Sequence, residues 1–285
     1  MSTLRPLPPL QPLRPFPNLR ETGQRVAQRV GDALQSRTNP AAGGRRRPPM
    51  PRRLPPDTAL LGVGKDGLPV LLDLGDPTPG AVLILSDDRS ARREILRGVL
   101  ESGMQTNPPH RLQYLILSSQ PERWWMWRSE GGYERHSLGI EALEAEPCTR
   151  WLKSLAELVE QRRMGMRGGP AVLILIDDLE AVMSLGYDAM VQLDWLIKQG
   201  AEASVWVLAT APASSTASLT RWMRLFKTRI LGWTSDPGVY STLPLIEENL
   251  PALEHREQFC VRLPEGWLTF ELAGKPLPEL SETEE

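Results

Sequence analysis

Two apolar runs in this chain end in clusters of charged and hydroxyl side chains, and those clusters are where chemistry could occur. The run LILI ends in Asp177 and Asp178. Of two adjacent carboxylates after a buried strand, the first could hold a divalent cation and the second could polarise a water. A strand running into a helix capped by aspartate gives the same letters without any chemistry. The run GAVLIL is followed by Ser86, Asp87, Asp88, Arg89, Ser90, Ala91, Arg92 and Arg93. A phosphate-binding loop at such a strand-to-helix turn reads GxxxxGK[ST]. Its glycines let backbone N–H groups wrap the phosphates, its lysine meets the β- and γ-phosphates, and its hydroxyl holds Mg²⁺. Here Ser86 and Ala91 fill the glycine positions, Arg92 stands for the lysine and Arg93 for the hydroxyl. Asp87 and Asp88 put two carboxylates where anionic phosphates would sit, which costs Coulomb repulsion. Arg92 and Arg93 are available to pair with them. The placement suits a phosphate loop, but the residues do not.

The elements that must carry these clusters read as an alternating series from about residue 57. TALLGVG (58–64) and LPVLLDL (68–74) flank Asp66-Gly67 as a hairpin. Residues 80–86, 111–119, 170–178, 203–212 and 228–234 are apolar strands, and helices are expected over 89–102, 148–164, the segment after 178 as far as Gly200, and 218–226. A closing hairpin runs over 258–264 and 266–272. Apolar strands alternating with helices predict a parallel sheet covered on both faces, with ligands at the carboxyl ends of its strands. PERWWMWRSE, after the strand at 112–118, reads as a loop. Its Trp124, Trp125 and Trp127 could form a partner hot spot or a base-stacking platform, or a plug over the sheet edge. The other tryptophans, at 151, 195, 206, 222, 233 and 267, fall on periodic segments and read as core or half-buried.

Ahead of this domain, residues 1–56 read as a tail rich in proline and arginine. LRPLPPLQPLRPFP (4–17) suits polyproline II, 18–35 suits a short amphipathic helix, and 41–56 is a basic linker. Arg45, Arg46, Arg47, Arg52 and Arg53 either stay solvated or dock a partner protein or a nucleic acid backbone. The last ten residues, 276–285, are an acidic tail. The net charge of −2 gives no global argument for nucleic acid or membrane, and two distant cysteines argue against a disulfide framework. No Ser/His/Asp, Cys/His or metal-ligand constellation is present in the sequence. No apolar run approaches the ~18 residues that cross a bilayer, and the start lacks an apolar signal core, so a cytoplasmic location is expected.

Over residues 60–272 the order of segments resembles the motor domain of the FtsK/SpoIIIE family, which includes the ATPase domains of type VII secretion motors. GVGKDGLPVLLDL resembles the family's entry hairpin and GAVLIL its phosphate-loop strand. LVEQRRM resembles the helix ahead of the acidic strand, which LILIDDLEAVM resembles in turn. LIKQGAEASVWVLATAPASS and FKTRILGWTSD resemble its sensor and TRI segments. The resemblance implies a RecA-like three-layer P-loop fold. It also implies catalytic positions at Asp177, Asp178, Thr210 and Arg229, and ATP with Mg²⁺ in active relatives. The chain departs at the phosphate loop, at Asp178 in place of glutamate, at Ala211 in place of the sensor glutamine, and at Ala201 in place of an arginine. These departures together predict a pseudo-ATPase that binds no cofactor. It would serve as a structural or regulatory subunit beside protein partners, such as an active paralogue in a translocation or secretion assembly. Two alternatives stand beside it: an active ATP-driven translocase of DNA or protein, and a non-hydrolysing DNA-binding module using the basic tail.

Overall fold

The computed structural model describes Pro48 and residues 54–143, 146–216, 218–236, 238–241 and 250–274. The expected tail elements, the five tail arginines and the acidic terminus lie outside these residues.

The chain opens with a hairpin of β1 (Thr58–Gly64) and β2 (Pro69–Asp73), turned at Gly67 with φ 80°. Then follow β3 (Val82–Leu85), α1 (Arg89–Thr106), β4 (Leu112–Ser118), α2 (Pro121–Gly131), β5 (Ser137–Ala142) and α3 (Glu146–Arg163). After β6 (Ala171–Asp177) come a 3₁₀ segment (Leu179–Ser184), α4 (Tyr187–Gln199), β7 (Val205–Ala211), the single-turn α5 (Thr220–Met223) and β8 (Thr228–Leu231). A short α6 (Gly238–Ser241) precedes the hairpin β9 (Gln258–Leu263) and β10 (Gly266–Glu271).

All ten strands join one sheet in the order β2-β1-β10-β9-β8-β3-β7-β6-β4-β5. From β8 to β5 the pairing is parallel; from β8 to β2 it is antiparallel. The central parallel strands are apolar over most of their length because both faces are covered, and polar residues come at their carboxyl ends. On β6, Leu173 and Leu175 pack with α1 and α2, whereas Val172, Ile174 and Ile176 pack with α3, α4 and α5. The result is the sheet covered on both faces that the alternation of strands and helices predicts, in the RecA-like three-layer α/β architecture that the resemblance implies.

Three local readings differ. The tryptophan segment is helix α2, not a loop. Pro121 sits in its first turn and Gly132 ends it at φ 67°. Trp124 and Trp127, three residues apart, therefore share the buried face, and ring contacts join Trp127 to Trp124, Tyr114 and Tyr133. The plug among the alternatives is the arrangement found for these two rings. Strand β5 is only half-buried, so it lacks the apolar run that marks the others. The segment after β6 begins as 3₁₀ and becomes α-helix only at Tyr187.

Gly200 ends α4 as expected, but with right-handed backbone, φ −62°. Its glycine is required by proximity. A Cβ there would lie 2.3 Å from the Val205 carbonyl oxygen and 2.5 Å from that of Leu196. Gly200→Ala is expected to cost about 3 kcal/mol, the upper range for overpacking, read as a fall in the urea midpoint at unchanged slope.

Candidate functional site

The parallel register brings polar residues to one level. Ile84 of β3 lies opposite Thr210 of β7, Thr210 opposite Asp177 of β6, and Asp177 opposite Ser118 of β4. Strand alternation turns Ser118, Asp177 and Thr210 to the sheet face that α1 covers. One strand, β7, separates β3 from β6, so the turn after β3 and the Asp177 end lie about 10 Å apart. That spacing suits a site shared between them.

Asp177 is 2% exposed, and its Oδ2 accepts three hydrogen bonds. They come from Trp124 Nε1 at 3.0 Å, Ser118 Oγ at 3.2 Å and Arg93 Nε at 3.3 Å. The last is also an ion pair, with both side chains largely shielded from water. The residue expected at the Mg²⁺ hydroxyl thus pairs directly with the residue expected as the Mg²⁺ carboxylate. A guanidinium on that oxygen occupies the approach a divalent cation would use, so these residues do not fit the metal. Among the described residues no group of three His, Cys, Asp or Glu could hold one elsewhere.

The turn after β3 is shorter than a phosphate loop. Helix α1 already begins at Arg89, so only Ser86, Asp87 and Asp88 lie between strand and helix, and Arg89 to Arg93 are wound into the first turns. Asp88 is the N-cap, and its Oδ1 accepts from the Ala91 N–H at 2.9 Å. That carboxylate takes a backbone donor that a bound anion would otherwise take. Its other oxygen is 3.8 Å from Arg256 Nη1, and the Arg256 guanidinium lies over the Trp233 ring at 4.8 Å.

Asp87 joins three strand ends. Its Oδ1 accepts from the Ser214 N–H at 3.0 Å, beyond β7. Its Oδ2 accepts from Thr234 Oγ1 at 2.6 Å and the Ser235 N–H at 3.3 Å, beyond β8. Burial pushes the Asp87 carboxyl up, but the bonds from Thr234, Ser214 and Ser235 outweigh it and hold it below its ordinary value. Ser86 adds a hydroxyl bond to the Trp233 carbonyl at 2.9 Å. Beneath this turn Tyr240 donates to the Leu85 and Gly232 carbonyls, at 3.1 and 2.8 Å.

The expected pairing of Arg92 and Arg93 with Asp87 and Asp88 does not occur among the described residues. Arg93 is turned to Asp177. Arg92, only 4% exposed, donates to the Ser86 carbonyl. Burial lowers the Arg92 pKa, opposed by the charges of Asp178 and Asp177. Arg89 reaches Ser119 Oγ at 3.4 Å, and Ser90 borders a cleft of ≈250 Å³ between α1 and α2.

Asp178 is held at φ 106°, ψ 88°, in the left-handed region that favours glycine, and its carboxylate caps the 3₁₀ segment at the Glu180 N–H. Burial raises its pKa. Thr210 is fully buried, and its Oγ1 has no hydrogen-bond partner among the described residues. Arg229 stands apart from these groups. Two bonds from its guanidinium, at 3.0 and 2.7 Å, go to the Met223 carbonyl and tie β8 to α5. Of the three tryptophans, Trp124 and Trp127 are buried, which removes them as a partner surface; Trp125 is 46% exposed. Trp195, read as core or half-buried, is exposed. Ser118, Ser214, Thr234 and Arg256 escaped the sequence reading. Only Ser118 carried a signal, as the polar end of an apolar strand.

No protein-family model matches the sequence, and no curated protein is similar to it. Solved structures do match in fold. EssC (ATPases 2 and 3) from Geobacillus thermodenitrificans superposes with TM-score 0.66 at 15% identity, over 82% of this chain and 48% of that one. Thermomonospora curvata EccC (ATPases 2 and 3), in complex with a signal sequence peptide, gives 0.62 at 15% identity, over 86% and 46%. The pCW3 conjugation coupling protein TcpA, in its monomer form with ATPγS, gives 0.59 at 12%, over 89% and 81%. The chain spans about half the length of the two secretion ATPases. Its fold is that of FtsK/HerA-type P-loop ATPases.

Two outcomes follow from the geometry. Arg93→Ala leaves a buried carboxylate without its cation and is expected to cost about 3 kcal/mol of unfolding free energy. Adding Asp177→Asn to that variant should restore part of the loss, as denaturant titration of both would show. The depressed Asp87 carboxyl contributes stability that is present above its ordinary pKa of 3.8 and lost as pH falls through its lower folded value. Asp87→Ala should therefore cost about 1–2 kcal/mol at pH 7, with the deficit against the parent shrinking below pH ~4 in thermal melts.

Proposed function

We propose that this chain is a non-hydrolysing relative of the FtsK-type motors, a pseudo-ATPase that serves as a structural or regulatory subunit of a translocation or secretion assembly. The observation that carries this reading is the Arg93–Asp177 pair. The positions that would hold a metal between a hydroxyl and a carboxylate are closed by one direct guanidinium–carboxylate contact. The Asp88 cap and the Asp87 bonds act in the same direction, because the chain's own anions take donors at the place of the phosphates. A triphosphate would have to displace these contacts and forgo a lysine and a glycine cradle, at ~1.5–3 kcal/mol for each charge-assisted bond lost. On this reading the domain spans 57–275, works in the cytoplasm, and binds protein partners, an active paralogue among them. The likeness in fold to secretion and conjugation ATPases supports a place in an assembly of that kind.

A second reading, an active translocase with a divergent loop, draws support from Thr210 and Asp178. A buried hydroxyl without a partner and a strained acid with a raised pKa are features of working sites. Calorimetric titration of the full chain with ATP and Mg²⁺ separates the two. No heat of binding up to millimolar ATP is expected. Micromolar binding, with turnover abolished by Asp178→Asn, would establish the second reading instead.

A further inference from the structure

Large apolar side chains are exposed along one line of α4. Tyr187 is 75% exposed, Val191 41% and Trp195 38%, at successive i, i+4 positions that share a helix face. Met183, 55% exposed, lies just ahead of them, and Met164, 61% exposed, follows the Arg163 whose guanidinium sits 5.6 Å over the Trp195 ring. Most of the exposed large apolar side chains of the described residues thus gather on one side of the molecule, on the face opposite α1. An apolar line of this kind on a soluble helix marks an interaction surface.

Charge indicates what covers it. Residues 179–191 carry Glu180 and Asp188 and no lysine or arginine. The carboxyl half of α4 carries Lys198, and beside it lie Arg163 and Arg221. The anions there are already engaged: Asp194 lies 2.5 Å from Lys198 and 3.9 Å from Arg221, and Glu202 lies 3.7 Å from Arg163. The surface is therefore acidic at one end, basic at the other and apolar between.

Such a surface complements itself when reversed. We propose that α4 is the contact of a two-fold homodimer, in which it packs antiparallel on α4 of a second copy. The axis passes near Gln192, between the centres of the two cross-pairs. Tyr187 of each copy meets Trp195 of the other, and Asp188 of each meets Lys198 of the other. The contact is isologous, so it closes on itself at two copies. It also sets the two helix dipoles against each other favourably. Its small size makes it a weak, concentration-dependent dimer.

Sedimentation equilibrium of the full chain from ~1 to ~200 µM tests this. A monomer–dimer equilibrium is expected. Tyr187→Ser and Trp195→Ser, both at exposed positions, should each raise the dissociation constant at least tenfold. Asp188→Lys should do the same, and combining it with Lys198→Asp should recover most of the affinity, because the swapped charges again face each other across the axis. Circular dichroism would confirm that every variant is folded. A monomer at all concentrations would overturn the proposal and leave the stripe to a different partner. So would an assembly that α4 substitutions do not touch, or a charge swap that fails to recover association.

Discussion

One ion pair organises the carboxyl edge of this sheet. Asp177 is buried at the end of β6 and would be costly to ionise alone in such a place. Arg93 supplies the opposite charge from the second turn of α1, and Ser118 and Trp124 add neutral donors from β4 and α2. Three separate elements therefore converge on one carboxylate oxygen. Here the cation is covalently part of the chain, so convergence of the elements needs no ligand.

The turn after β3 follows the same principle with the sign reversed. Asp88 satisfies the start of α1 and Asp87 satisfies donors from the loops beyond β7 and β8. Cation and anions are both internal, and they lie on either side of β7. Thr210, on β7 itself, is among the groups this internal arrangement leaves over, together with Arg92 Nε and Arg93 Nη2. Its hydroxyl is buried with no partner among the described residues, and Asp178 beside Asp177 keeps a backbone strain that its role as a cap does not explain.

The fold was legible because its information is local. Apolar runs covered on both faces and a helix after each gave the strand series nearly to the residue at β1, β6 and β7. The half-buried β5 gave no such signal. At α2 the two readings turned on what the tryptophans touch, and Trp124 reaches Asp177 across 53 positions, which no local pattern records. The site was legible in part. The letters at 86–93 show which groups are missing from a phosphate loop, but which aspartate each arginine meets depends on where α1 starts. That start is fixed by the Asp88 cap. Arg229 matched its motif in letter and lies elsewhere in space, because its side chain runs to the Met223 carbonyl.

The start of α1 at Arg89 also bears on what substitution in this turn could achieve. Replacing Ala91, Arg92 and Arg93 by glycine, lysine and serine would set those side chains on a helix already wound, with the cap still in place. A cradle would form only if a turn of α1 came undone, Asp87 let go of two loops, and Asp177 found another counter-charge. Each step alone lowers stability before any nucleotide can compensate. Single substitutions in this turn therefore do not build a phosphate cradle, because the helix cap, the two loops and the buried carboxylate each hold the present arrangement in place.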